Sequence, residues 1–166
     1  MDVNIYSEMQ SITSYLKLSI TSQEVAQFCS DEALNDEQIQ AIADFLNHMK
    51  DLRHTHLVEM LKTMSRIPSR EPKTFENFDF SRIHGKNVDT LKNLSSLSTL
   101  YAHKNLAFIG PQGVGKTHLA MAYGRLCFEN EYKSYFLKAT ELNQKFSNVF
   151  GSLDGIRLIV LSISTR

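Results

Sequence analysis

The sequence predicts an α/β protein: a helical N-terminal region followed by the first part of a parallel α/β sheet domain organised round a phosphate-binding loop (P-loop). Three observations predict it. Apolar residues recur with a helical period from residue 8 to residue 67. From residue 105 onward strand and helix patterns alternate, as a parallel sheet with crossover helices requires. Between the first of those strands and the first of those helices stands "GPQGVGKT", Gly110 to Thr117, which fits G-x-x-x-x-G-K-[ST].

Taken in order, residues 8–32 hold two short helical patterns. The first uses Met9, Ile12, Tyr15 and Leu16. The second starts near Thr21, with Glu24 at capping-box spacing and Val25, Phe28 and Cys29 on one face. "LNDEQIQ" opens a longer helix with Asn35 as N-cap and Gln38 at the third helical position. Its stripe runs Ile39, Ile42, Phe45, Leu46, Met49, Leu52, Leu57, Met60, Leu61, Met64 and Ile67, with a soft spot at "RHTH". That stripe is expected to pack on the two preceding helices.

Pro68 is expected to end this helix, and "PSREPKTFENFDFSR" is a connector by composition. Phe75, Phe78 and Phe80 imply a segment pinned to a core. Residues 87–98 predict another helix, with Val88, Leu91, Leu94 and Leu97 three apart. Then come a strand ("NLAFI"), a helix ("KTHLAMAYGRLCFEN"), a strand ("SYFLKA"), a helix ("ATELNQKFSNVF") and a strand ("IRLIVLSI"). The expected divisions are 1–67 (helical), 68–99 (connector) and 100–166 (partial P-loop domain).

A chain of 166 residues, 42% hydrophobic and 22% charged, has the make-up of an ordinary globular protein. "MDVNIYSEMQ" has neither the basic start nor the apolar core of a secretory signal. No apolar run approaches a membrane span, so no membrane partner is expected and the expected compartment is the cytoplasm. Cys29 and Cys127 lack metal-ligand spacing and read as reduced, buried thiols. The zero net charge hides a division: residues 1–49 carry eight acids and one base, a net −7, and residues 50–166 carry seventeen bases and ten acids, a net +7. Either the basic part meets a polyanion or the two parts meet each other.

The loop carries the chemistry. Glycines let the backbone curl so that successive N–H groups converge on phosphate oxygens. The helix that begins near Lys116 aims its positive end at the same place. The cofactor-binding set is Gly110, Pro111, Gln112, Gly113, Val114, Gly115, Lys116, Thr117 and His118. Lys116 should reach the outer phosphates of ATP, and the Thr117 hydroxyl should ligate Mg2+. A functionless glycine-rich turn is the bland alternative; a chance match in such a chain is on the order of one in a hundred or less.

Hydrolysis needs, in addition, an acid to hold magnesium and a group to orient the attacking water. The strand "LIVLSI" ends in Ser162 and Ile163 where an acidic pair is usual, and Asp154 lies at its other end in a turn. Glu129, Glu131 and Glu141 read as solvated surface. His54 and His56, two residues apart on a helix, face different ways and make a poor metal pair. With Lys50, Arg53, Lys62 and Arg66 they suggest either a basic face for DNA phosphates or a solvated helix face. No nucleophile–histidine–acid set can be argued.

With the loop placed, the chain resembles the IstB family, transposition helper ATPases encoded beside the transposase in one class of bacterial insertion sequences and close to the DnaC helicase loaders. The matching stretches are "KTFENFDFSR", "KNLAFIGPQGVGKTHLAMAYG" and "YFLKATEL", within a resemblance covering roughly residues 10–146. It implies an AAA+ core that binds ATP, assembles on double-stranded DNA, self-assembles in full-length relatives and recruits or activates a transposase. It also implies that the helical N-terminal part is a DNA-binding region and that "TFENFDF" packs at the edge of the core near the adenine.

The chain departs from the family after Phe146, where members continue through an acidic strand, a sensor residue and an intersubunit arginine. By that comparison the P-loop domain is incomplete at the C-terminus, through a deletion or a reading-frame change. The family's sheet order is 5-1-4-3-2, so strand 1 would lack both neighbours. Unpaired buried backbone groups cost about 1–3 kcal/mol each against total stabilities of about 5–15 kcal/mol. The resulting expectation is a loop correct in sequence and poorly supported in space, with weak nucleotide binding and no appreciable turnover. A helicase-loading ATPase and a non-enzymatic DNA-binding remnant are the alternatives; a small-molecule kinase is more distant, since no acceptor site or lid is evident.

Overall fold

A computed structural model describes residues 3–84 and 88–137 of the chain. The helices are α1 (Val3–Tyr15), α2 (Ser22–Asp31), α3 (Asp36–Ser65), α4 (Val88–Lys92), α5 (Ser98–Tyr101) and α6 (Lys116–Glu129), with 3-10 turns at Phe80–Arg82 and Asn93–Ser96. The chain divides into two compact units, Met1–Leu57 and Val58–Arg166.

In the first unit, α2 begins with a capping box. The Glu24 amide donates to Thr21 Oγ1 at 3.2 Å, and the Thr21 amide donates to the Glu24 carboxylate at 2.8 Å. These bonds hold the Glu24 carboxyl below its usual range. The start of α3 is built the same way, with reciprocal 2.9 Å bonds between Asn35 and Gln38. The core is Met9, Cys29, Ile39 and Ala43, flanked by Ile5, Val25, Leu34, Ile42 and Leu46.

The expected α3 stripe divides in two. Ile39 is 3% exposed, whereas Phe45 is 61% exposed, and Met49, Leu52, Met60 and Met64 are exposed as well. α3 is 30 residues long against 13 for α1 and 10 for α2, so the two short helices cannot cover its whole length. "RHTH" does not interrupt the helix, which runs unbroken to Ser65. There Arg66 turns left-handed at φ 56°, two residues before Pro68.

In the second unit, a core of Leu94, Leu97, Leu100, Tyr123 and Cys127 packs with Phe75, Leu91, Leu106, Phe108, Leu126 and Tyr132. The expected helix over 87–98 is broken into α4, a 3-10 turn and α5, with Leu97 left-handed at φ 54°. The reason is in the spacing: apolar residues exactly three apart match the 3.0-residue repeat of a 3-10 turn.

Among the described residues there is no β-strand. Residues 105–109 keep the alternation of a strand: Leu106 and Phe108 face the core, while Ile109 is 94% exposed. A strand exists only with a ladder partner, and the expected strand over 156–163 lies outside the described residues, as do the expected helix over 139–150 with Glu141 and the turn that holds Asp154. Of "SYFLKA", residues 134–137 are described. The Ser134 hydroxyl donates to Gly124 O at 2.9 Å, and the Phe136 amide donates to Ser65 O at 2.7 Å.

Candidate nucleotide site

The loop leaves the extended segment at Gly110 and becomes helical at Lys116. Two residues on the way are left-handed, Gly113 at φ 84° and Gly115 at φ 91°. Side chains other than glycine rarely adopt that conformation, so both glycines are demanded by the turn. Pro111 to Val114 are exposed, and Gly115 to His118 are half-buried. The Gly115 carbonyl accepts from the Leu119 amide at 3.0 Å, which starts the hydrogen-bond ladder of α6. The first turn of α6 holds no acidic residue, so nothing in it opposes an anion at the positive end of the helix.

Lys116 folds back over its own loop, with Nζ donating to Gly110 O at 2.8 Å and to Pro111 O at 2.6 Å. Both acceptors are neutral carbonyls, and an anionic phosphate oxygen is a stronger partner for an ammonium than either. Thr117, the second residue of α6, follows directly.

His118, included in the predicted cradle, is engaged elsewhere. Its Nε2 lies 2.8 Å from Thr74 O, and its ring meets Phe78 edge-to-face at a centroid distance of 5.1 Å. Phe78 also meets Phe80 at 4.8 Å and covers Gly115 so closely that a Cβ there would lie 2.5 Å from Phe78 Cε2. The segment is internally braced: the Thr74 amide donates to Asn77 Oδ1 at 2.9 Å, and Asn77 Nδ2 donates to Pro72 O at 2.6 Å. Hydrogen bonds from the Ser81 hydroxyl and amide hold the Asp79 carboxyl below its usual range. The phenylalanines gave a sequence signal for a pinned segment, but no sequence signal identifies Thr74 and Gly115 as the places where it is pinned.

The four basic residues considered for DNA are engaged to different degrees. In the first unit, Arg53 donates to Leu16 O at 3.1 Å and stands 6.0 Å from the centre of the Tyr15 ring. Lys50 is exposed. In the second unit, Lys62 pairs with Glu59 at 3.1 Å, and the Arg66 guanidinium lies 5.1 Å from the centre of the Tyr135 ring. Among the described residues no cluster of His, Cys, Asp and Glu is fit to hold a metal ion, and no helix is long and apolar enough to cross a membrane.

The sequence profile of the family described as IstB-like ATP binding protein matches residues 14–154. The chain belongs to this family. Among its relatives, the ATP-binding protein assigned to insertion sequence IS232 of Bacillus thuringiensis subsp. berliner is 29% identical over 143 residues, 85% of this chain and 56% of the relative. That assigned to IS21 of Pseudomonas aeruginosa is 29% identical over 138 residues, covering 81% and 51%. That assigned to IS5376 of Geobacillus stearothermophilus is 35% identical over 85 residues, covering 51% and 33%. The aligned part of this IstB-like chain therefore spans between a third and somewhat over half of these relatives' own lengths.

Proposed function

We propose that this chain binds ATP with Mg2+ in the loop from Gly110 to Thr117, as a cytoplasmic, DNA-associated helper of insertion-sequence transposition. The observation that carries the reading is the loop itself: two left-handed glycines lead into a helix whose first residue is Lys116 and whose first turn carries no acid. Lys116 exchanges the carbonyls of Gly110 and Pro111 for outer phosphate oxygens, and the Thr117 hydroxyl ligates the magnesium ion. Residues 105–109, with Leu106 and Phe108 already on the core, act as the first strand of the parallel sheet.

The three relatives are assigned to insertion sequences, which supports transposition over helicase loading. A transposase is the protein partner on this reading, with residues 1–67 on double-stranded DNA, 68–99 as connector and 100–166 on the nucleotide. DNA phosphates must compete with the intramolecular partners of Arg53, Lys62 and Arg66, so the DNA affinity of this chain is weak and falls steeply with salt. On this reading turnover is negligible, because the strand pattern over 156–163 ends in Ser162 and Ile163 where an acidic pair is usual.

Thermal unfolding with ATP, ADP or AMP in the presence of magnesium tests the reading. A ligand at a hundredfold excess over its Kd stabilises the folded state by about 2.7 kcal/mol. ATP and ADP are expected to raise the melting temperature, AMP to leave it unchanged, and Lys116→Ala to remove the effect. An equal shift with AMP, or a shift retained in Lys116→Ala, contradicts recognition through the phosphates.

A further inference from the structure

The loop is held from inside by Lys116 and from outside by residues that precede it by more than thirty positions. Thr74 O accepts from His118, and Phe78 lies against both the His118 ring and Gly115. We propose that residues 74–80 form a clasp on which the nucleotide cradle depends, with His118 and Phe78 as its positioning residues. The proposal rests on the nucleotide-binding reading above.

The chemistry of the contact fixes its direction. A carbonyl oxygen has no proton to give, so the His118 Nε2 must carry one and donate it to Thr74 O. That bond fixes the plane of the imidazole, and the imidazole meets the Phe78 ring edge-to-face at an interplanar angle of 70°. Phe78 in turn closes over Gly115, the left-handed residue immediately before Lys116. Thr74 is the anchor of the chain of contacts because Asn77 bonds it from both sides, with the Asn77 amide donating to Thr74 Oγ1 at 3.3 Å. The His118 imidazole thus serves the nucleotide through the backbone at Gly115.

The outside support matters most when nucleotide is bound. Lys116 then leaves the carbonyls of Gly110 and Pro111, and the loop loses the internal bonds that close it. Linkage makes the effect reciprocal: a clasp that raises nucleotide affinity is itself tightened by nucleotide.

The test compares wild type, His118→Leu, His118→Gln, Phe78→Leu and Lys116→Ala, with affinity for a fluorescent ATP analogue and the rate of tryptic cleavage after Lys73 as readouts. Loss of the hydrogen bond in His118→Leu is expected to weaken affinity about tenfold. His118→Gln keeps a donor and is expected to recover most of it, and Phe78→Leu is expected to weaken binding without unfolding the protein. Nucleotide is expected to slow cleavage after Lys73 in the wild type, a measurement that needs no variant to fold. Wild-type affinity in His118→Leu, or cleavage after Lys73 that ignores nucleotide, overturns the clasp. If the wild type binds no nucleotide, the functional reading fails and the clasp is judged alone. His118→Leu must then speed cleavage after Lys73, and an unchanged rate overturns it.

Discussion

Gly115 meets two demands at once. Its φ of 91° disfavours ordinary side chains on backbone grounds, and Phe78 Cε2 crowds them on steric grounds. Gly113 meets only the first, since a Cβ there would have nothing within 4 Å. Gly113→Ala is therefore expected to cost about 1–2 kcal/mol from left-handed strain alone. Gly115→Ala adds an overpacking term of about 1–3 kcal/mol. Equal losses of melting temperature in the two variants would show that Phe78 does not constrain the loop. At this scale the motif was legible because its spacing is set by phosphate geometry. The partners of His118 were not, because a hydrogen bond across 44 positions leaves no local pattern. Arg53 shows the same limit: its charge is visible in the sequence, but its bond to Leu16 O is not.

The elements begin by rule and end by exception. Thr21 with Glu24, and Asn35 with Gln38, mark helix starts that the structure bears out at 2.8–3.2 Å. The two boxes differ in one chemical respect, because Glu24 titrates and Gln38 does not. The Glu24 carboxyl is held low in the folded state by its bonds to Thr21. Its contribution is thus fully present above the carboxyl's unfolded pKa and is lost as pH falls through the depressed folded value. Backbone amide signals at the start of α2 are expected to follow an acidic titration in the wild type that Glu24→Gln removes. The same titration retained in Glu24→Gln would contradict the account. The helix ends were harder to read. α1, α2, α5 and α6 close through left-handed Lys17, Ala33, His103 and Glu131, with bonds such as Leu18 to Thr13 O at 2.9 Å and Tyr132 to Cys127 O at 2.8 Å. Glycine is the usual sign of such an end, and none stands at these positions.

The whole molecule joins an acidic N-terminal stretch to a basic remainder, and its two units meet different physical needs. The first closes a small helical core round Met9 and Cys29 and leaves Phe45, Met49 and Leu52 of α3 outside it. The second packs α6 and the Leu94–Leu100 region into a core that residues 105–109 cover with Leu106 and Phe108, leaving Ile109 bare. Alternating strand and helix patterns are visible in the sequence, but a strand needs a ladder partner, and among the described residues 105–109 have none. Binding of ATP by the loop is tested most directly by titration of the purified 166-residue chain with a fluorescent ATP analogue, with and without magnesium, beside Lys116→Ala. Saturable, magnesium-dependent binding that the variant loses is the predicted result. Equal binding by the two proteins, or no binding by folded wild type, would contradict it.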